Sequence, residues 1–314
     1  MSKSRQKVIV ILGQTATGKS DFAVEIAKLI GGEIISADSR QVYKGLDIGS
    51  GKITKKEMRG VPHHLLDVAS PSRTFSVADF KKKSELAIKQ IVKNEKVPII
   101  CGGTGFYIDS LVSGQTLPEV APDKKLRATL EKKSAEELFK ILKKLDSKRA
   151  KDIDKNNPVR IIRAIEIATA IGKVPKLSKN IKAQKYDIIY IGLTLPDEIL
   201  KEKICIRLLA RIKSDMIKEV ENLHKNGLSW KRLNDLGLEY RYVGGYIQSG
   251  EYIKNDEINT VLTQDWVQKL NSEIWHYAKR QKTWFKRNKD IIWIDPREVY
   301  EKAKALYKIK KFLE

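Results

Sequence analysis

VIVILGQTATGKS, Val8 to Ser20, is the stretch from which the fold is read. Val8 to Leu12 is an unbroken apolar run that stops at a glycine, the pattern of a strand covered on both faces of a parallel sheet. The next residues, Gly13-Gln14-Thr15-Ala16-Thr17-Gly18-Lys19-Ser20, fit G-x4-G-K-[ST]. Phe22, Ala23, Ile26, Ala27, Leu29 and Ile30 then recur at helical spacing until Gly31-Gly32 stops them. Strand, glycine loop and helix in that order make a phosphate cradle, in which backbone N–H groups converge at a helix N-terminus. Lys19 adds charge, and the Ser20 hydroxyl suits Mg²⁺. The loop reports phosphate without saying which phosphate compound.

Working outward, Glu33 to Ala37 reads as a second buried strand ending at Asp38. Val97 to Cys101 reads as a third, after a helix near Val77 to Lys93 and before Gly102-Gly103-Thr104. This βαβα order predicts an α/β fold. From about Pro118 the sequence turns to charged helix, Lys124 to Lys151, then a helix near Val159 to Ile171 closed by Gly172. Asp187 to Leu195 is apolar again and is expected to rejoin the first sheet. Helices are expected over 197–226 and 256–288, with a last short strand at Ile291 to Ile294. The expected architecture is therefore a P-loop NTPase-like parallel-sheet core in two parts, 1–116 and 186–314. Between them lies an inserted, mainly α-helical region, 117–185.

An ordinary P-loop nucleotidase ends a neighbouring strand in an acid that directs Mg²⁺, yet Val97 to Cys101 runs into Gly102-Gly103-Thr104. The acid stands instead at Asp38, at the carboxyl edge of the sheet, where α/β proteins bind ligands. There it suits a general base; the plainer reading is an N-cap of the next helix. A small-metabolite kinase would use the same parts to deprotonate a hydroxyl, and an NTP-driven switch would want the missing acid.

Lys and Arg number 61 against 39 Asp and Glu in 314 residues, net +22, a surplus that attracts polyanions, nucleic acid foremost. Arg160 and Arg163 share a helical face, as do Arg207 and Arg211, and such pairs suit phosphates; a solvated face is the alternative. Trp275, Tyr277, Trp284 and Phe285 interleave with Lys279, Arg280, Lys282, Lys286 and Arg287, an arrangement that single-stranded nucleic acid would use, although most of the rings are expected in the core. His63, His64 and Asp67 lack metal-ligand spacing. Cys101 and Cys205 are expected as buried, reduced thiols. The basic N-terminus, Lys3, Arg5 and Lys7, precedes too short an apolar run for a signal segment, and no stretch is long enough to span a membrane; a soluble cytoplasmic protein is expected.

Taken together, the motifs GQTATGKS, EIISADSRQVYKGLDIGSGK (33–52), PHHLLD (62–67), FSVADF (75–80), PIICGGTGFYIDSL (98–111), NNPVRIIRAIE (156–166) and KRQKTWFKR (279–287) resemble the bacterial tRNA dimethylallyltransferases over nearly the whole chain. Two departures stand out: Met216 follows Arg207 and Arg211 one residue late, and Gly244-Gly245-Tyr246 replaces a Gly-Tyr-Lys/Arg pattern. The resemblance implies transfer of a dimethylallyl group from dimethylallyl diphosphate to N6 of the adenosine beside the anticodon of tRNA, by a monomer. It implies that Gly13 to Ser20 hold the diphosphate with Mg²⁺ at Ser20, with Lys19 and Arg207 or Arg211 stabilising it as it leaves. Asp38 would take the N6 proton while Thr104 holds the amine. The anticodon stem-loop would be gripped by Asp38, Ser39, Arg40, Gln41, Val42 and Thr104, by Arg127 and Val159, Arg160, Ile161, Ile162 and Arg163, and by Arg241, Tyr242, Val243, Gly244, Gly245 and Tyr246. A prenyltransferase of free AMP or ADP is a closer rival, but it would need no inserted basic helices.

Overall fold

The computed structural model describes residues 5–114, 118–176, 184–250 and 264–314. Six strands form one all-parallel sheet: β1 (Gln6–Gly13), β2 (Gly32–Ser36), β3 (His63–His64), β4 (Val97–Gly102), β5 (Tyr186–Leu193) and β6 (Ile291–Ile294), in the order β3-β2-β4-β1-β5-β6. β1 is central, pairing Leu12 with Gly102 on β4 and with Gly192 on β5. The period of two along β1 explains why it reads as continuously apolar. Val8, Val10 and Leu12 face one side, under helices α3 (Val77–Lys93) and α4 (Gly105–Val112). Ile9 and Ile11 face the other, under α1 (Lys19–Ile30) and the C-terminal α14 (Val299–Leu313). A short α2 (Lys55–Met58) precedes β3.

The chain divides into two compact units, one made of Met1–Ser113 with Ala183–Glu314, the other Gly114–Lys182. The smaller unit holds α5 (Lys124–Leu130), α6 (Ala135–Leu145), α7 (Ser147–Asp152) and α8 (Pro158–Ile171) around Leu138, Leu142, Ile161 and Ile165. The charged helical sequence expected over Lys124 to Lys151 is three helices in the structure, α5, α6 and α7. Ser134 and Glu137 form a reciprocal capping box, and the Asp146 carboxylate accepts the Arg149 amide, so each polar side chain starts a new helix.

In the larger unit, the sheet carries a second apolar core built by α9 (Asp197–Lys213), α10 (Met216–Lys225), α11 (Trp230–Leu236), α12 (Leu238–Ser249) and α13 (Asp265–Phe285). The helix expected over 197–226 divides at Asp215, which has φ 68°. Of that expected over 256–288, residues 256–263 lie outside the described residues. α2, β3, α4, α11, α12 and α14 are additions to the sequence reading. Cys101 is buried as expected, whereas Cys205 is only half-buried on α9; both are free. Among the described residues no helix is long and apolar enough to cross a membrane.

Candidate active site

β1 delivers the glycine loop to the carboxyl edge of the sheet. A Cβ at Gly13 would lie 2.5 Å from the Leu193 carbonyl oxygen on β5, so only glycine lets the chain leave the sheet there. Gly18, at φ 82°, caps α1. Within the loop, Thr17 Oγ1 and Lys19 Nζ both donate to the Gln14 carbonyl, at 2.9 and 3.0 Å. α13 braces the loop from outside. Gln281 Oε1 accepts the Thr15 amide at 2.8 Å, Gln281 Nε2 donates to the Gly103 carbonyl at 2.9 Å, and Gln14 Nε2 donates to the Ala278 carbonyl at 3.2 Å.

The loop opens on a cleft. Its lining includes Thr15, Lys19 and Ser20 of the loop and helix start, Asp38 and Gly102-Gly103 from the strand ends, Arg207 from α9, Tyr277 from α13, and the apolar Ala23, Ile34 and Ile53. Two cations are desolvated here. Burial pushes the Lys19 ammonium below its usual pKa, Arg207 pushes it further down, and Asp38 pulls the other way. Burial likewise lowers Arg207, and Arg211 four residues on adds repulsion. Two partly dehydrated cations repelling each other make a site that gains from an anion with several charges. Burial raises the Cys101 thiol to about 12, which keeps it protonated beside Lys19.

Asp38 stands where β2 ends. Its Oδ1 accepts the amides of Arg40 at 2.8 Å and Gln41 at 3.3 Å, so the carboxylate caps a turn and not a helix, as no helix follows. Thr104 is drawn to the same spot, its Oγ1 accepting the Ser39 amide at 3.1 Å and its amide donating to the Ala37 carbonyl at 3.2 Å. Gly102 makes the approach possible: a Cβ there would sit 2.3 Å from the Ala37 oxygen. Tyr277 reaches Thr104 with its hydroxyl, and burial, with Asp38 second, raises that phenol to about 12. The end of β4 carries glycines where a nucleotidase would carry its acid.

Of the two arginines on α9, Arg207 lines the cleft and donates to the Gly51 carbonyl at 3.0 Å. Arg211 instead pairs with Glu239 at 2.7 Å and donates to the Gly49 carbonyl at 2.7 Å. Ser39, Arg40 and Gln41 are half-buried, but Val42 is fully buried in the helical core, which corrects the expectation that its side chain grips a ligand. The same correction applies to Ile161 and Ile162 in the smaller unit and to Val243 and Tyr246 on α12. These helices bury positions at every third or fourth residue, so a contiguous run cannot all face outward. Val159, Arg160, Arg241 and Gly245 are exposed and Tyr242 is half-buried. Arg127 and Arg163 both reach the buried Glu166, Arg127 with two bonds of 2.7 Å and Arg163 at 3.2 Å. His64 meets Glu33 at 2.6 Å and Asp67 meets Lys52 at 2.5 Å, and among the described residues no three His, Cys, Asp or Glu side chains group as a metal set. Trp284 is held by the Asp109 carboxylate at 2.9 Å with Arg287 stacked 3.8 Å above it, and Phe285 is buried.

Sequence reasoning missed Gln281 and His63 as cleft residues, and it did not single out Tyr277 among four rings of which most were expected in the core. Gln281 and Tyr277 are four apart on one face of α13, a spacing that signals a shared direction once one of the two is placed.

Comparison with known proteins gives a consistent outcome. A profile of the IPP transferase family matches residues 41–288. The tRNA dimethylallyltransferase 2 of Treponema denticola is 46% identical over 281 residues, 89% of this chain and 91% of the relative. The crystal structure of the tRNA isopentenylpyrophosphate transferase of Bacillus halodurans is similar at a TM-score of 0.71 and 31% identity, over 98% of this chain and 97% of that one. A eukaryotic dimethylallyltransferase studied acting on tRNA superposes at a TM-score of 0.81, covering 98% of this chain and 79% of that one; at 22% identity the likeness is one of fold alone.

Proposed function

The chain belongs to the IPP transferase family, and on that premise we propose that it transfers a dimethylallyl group from dimethylallyl diphosphate to N6 of the adenosine beside the anticodon of tRNA, releasing diphosphate. The observation that carries the reading is the pairing of two desolvated cations, Lys19 and Arg207, with a single carboxylate, Asp38, across one cleft. The reaction divides along the same line. N6 of adenine attacks C1 of the dimethylallyl group, the C1–O bond breaks, and the electron pair goes to the diphosphate. Lys19, Arg207 and the loop amides stabilise the charge that develops there. Asp38 takes the N6 proton, and Thr104, beside it through the Ser39 amide, orients the amine.

Among the described residues Asp38 is the one carboxylate lining the cleft and Ser20 lines it too, a donor set that suits a hydrated Mg²⁺ brought by the diphosphate more than an all-protein cage. Such an ion would neutralise diphosphate charge, with Ser20 as its protein ligand. For the attack, the adenine must leave its stack and enter the cleft, past Ser39, Arg40 and Gln41. Exposed cations, Arg160 in the smaller unit and Arg241 on α12, are offered to phosphates of the stem-loop. On the same reading the enzyme acts as a monomer and meets its tRNA substrate in the cytoplasm. A small-metabolite kinase would leave the net +22 unused and would need ATP.

The test is incubation with unmodified tRNA and dimethylallyl diphosphate without ATP, followed by mass spectrometry of the anticodon loop. An added C5 unit on the adenosine beside the anticodon is expected. ADP formed only when ATP is supplied, with no C5 adduct, would favour the kinase.

A further inference from the structure

We propose that Glu219, which lies outside the cleft, is a positioning residue for Arg207, acting through the loop of residues 47–51. This rests on the reading of the cleft as a diphosphate site. Glu219 sits in the first turn of α10, whose neighbouring residues Met216 and Val220 are fully buried in the helical core. Its Oε2 accepts the amides of Asp47 at 3.0 Å and Ile48 at 2.6 Å, and its Oε1 accepts the Gly49 amide at 3.0 Å and the Tyr240 hydroxyl at 2.9 Å. Tyr240 in turn accepts the Ser50 amide. Four successive backbone N–H groups thus point at one carboxylate and its phenol.

The loop presents carbonyls to α9. Gly49 O receives Arg211 at 2.7 Å, and Gly51 O receives Arg207 at 3.0 Å. Gly49 is required by close approach and Gly51 by its backbone conformation. A Cβ on Gly49 would lie 2.8 Å from the Tyr240 ring, and one on Gly51, at φ 58°, would lie 2.3 Å from Arg207 Nη2. Each peptide unit is planar, so the Glu219 bond to the Ile48 amide also fixes the Asp47 carbonyl; that carbonyl accepts the Lys52 amide at 2.9 Å, and the Lys52 amide shares its plane with the Gly51 carbonyl. The Gly51 carbonyl therefore holds the Arg207 guanidinium at the cleft wall before any anion arrives, and the anchor for that geometry is Glu219. Catalytic groups need support of this kind, since small misplacements of a charged donor are costly to rate.

Glu219→Gln keeps the shape and removes the charge, while its NH₂ would face amides that only an acceptor can satisfy. The experiment is a mutant cycle in the full chain: Glu219→Gln, Arg207→Ala and the double variant. Inorganic pyrophosphate binding is read by calorimetry, KM for dimethylallyl diphosphate by steady-state assay, and tRNA affinity by filter binding. Glu219→Gln is expected to weaken pyrophosphate binding and raise that KM roughly tenfold, to leave tRNA affinity unchanged, and to add nothing in the Arg207→Ala background. Additive effects, an unchanged KM, or an equal loss of tRNA affinity would overturn the assignment, because a merely structural role would not pass through Arg207. Arg207→Ala that binds pyrophosphate like the parent would sink the diphosphate reading itself. Should Glu219→Gln fail to fold by circular dichroism, Tyr240→Phe, which removes one bond of the same clasp, enters the cycle with the same expected non-additivity.

Discussion

Gln281 on α13 accepts the Thr15 amide hydrogen at 2.8 Å while donating to the Gly103 carbonyl at 2.9 Å, so one side chain ties the glycine loop after β1 to the glycine pair after β4. Gly103 admits it, since a Cβ there would lie 2.3 Å from Gln281 Nε2. Gln281 is 6% exposed, and an unmet partner at that depth costs about 1–3 kcal/mol. Gln281→Ala is expected to lower Tm and to raise KM for dimethylallyl diphosphate. Gln281→Glu keeps the acceptor for Thr15 but turns a carboxylate oxygen on the Gly103 carbonyl beside the anion site, and is expected to raise KM at least as much as Gln281→Ala. A Gln281→Ala variant with unchanged Tm and KM would show that the tie is idle.

Asp38 supplies the sharpest functional prediction. In Asp38→Asn the turn is preserved, because an amide oxygen still accepts from Arg40 and Gln41, while the base is lost. Single-turnover prenylation should slow by roughly 10²- to 10⁴-fold with tRNA affinity nearly intact. Near-normal turnover would remove Asp38 from the proton transfer.

What the sequence reveals of this site follows from how local each feature is. The glycine loop is legible because one contiguous segment contains the strand, the loop and the helix that make it work. Asp38 is legible because it follows a buried strand at a topologically defined edge. Gln281 is not, because its partner Thr15 lies 266 residues away and a glutamine carries no sequence signal for a distant amide. The choice between Arg207 and Arg211 is open in the sequence, because both lie on one face of α9; the surrounding carbonyls and Glu239 separate them. Val42, Ile161, Ile162, Val243 and Tyr246 were expected at a ligand as parts of contiguous motifs, and helical periodicity and packing put them in apolar cores instead.

Lys19 couples the cleft to pH. Burial holds its ammonium below the usual value in the free protein, and a bound diphosphate would raise it again. Affinity is then full below the free protein's lowered pKa and declines as pH rises through it, and binding takes up a proton in that window. Calorimetry of inorganic pyrophosphate binding in buffers of different ionisation heat should detect the uptake, and Lys19→Ala should abolish both the uptake and most of the affinity. Binding without proton exchange across the alkaline range would contradict the role of Lys19.

The basic residues of the smaller unit divide into two kinds that should behave oppositely. Glu166 is buried; burial pushes its pKa up, but the bonds from Arg127, the Asp123 amide and Arg163 outweigh that and hold it below the usual value. Its contribution is therefore present above the unfolded-state pKa and is lost as pH falls through the lower folded value. With both arginines more than one-third solvent-exposed, Glu166→Gln should cost about 1–3 kcal/mol, seen as a lower Tm. Arg160 is exposed on the first turn of α8, and its replacement should leave Tm unchanged. If it meets a tRNA phosphate, Arg160→Ala should weaken tRNA binding and reduce the slope of log affinity against log salt by about one. An Arg160→Ala variant with parental affinity and slope would take the first turn of α8 out of the tRNA-binding surface.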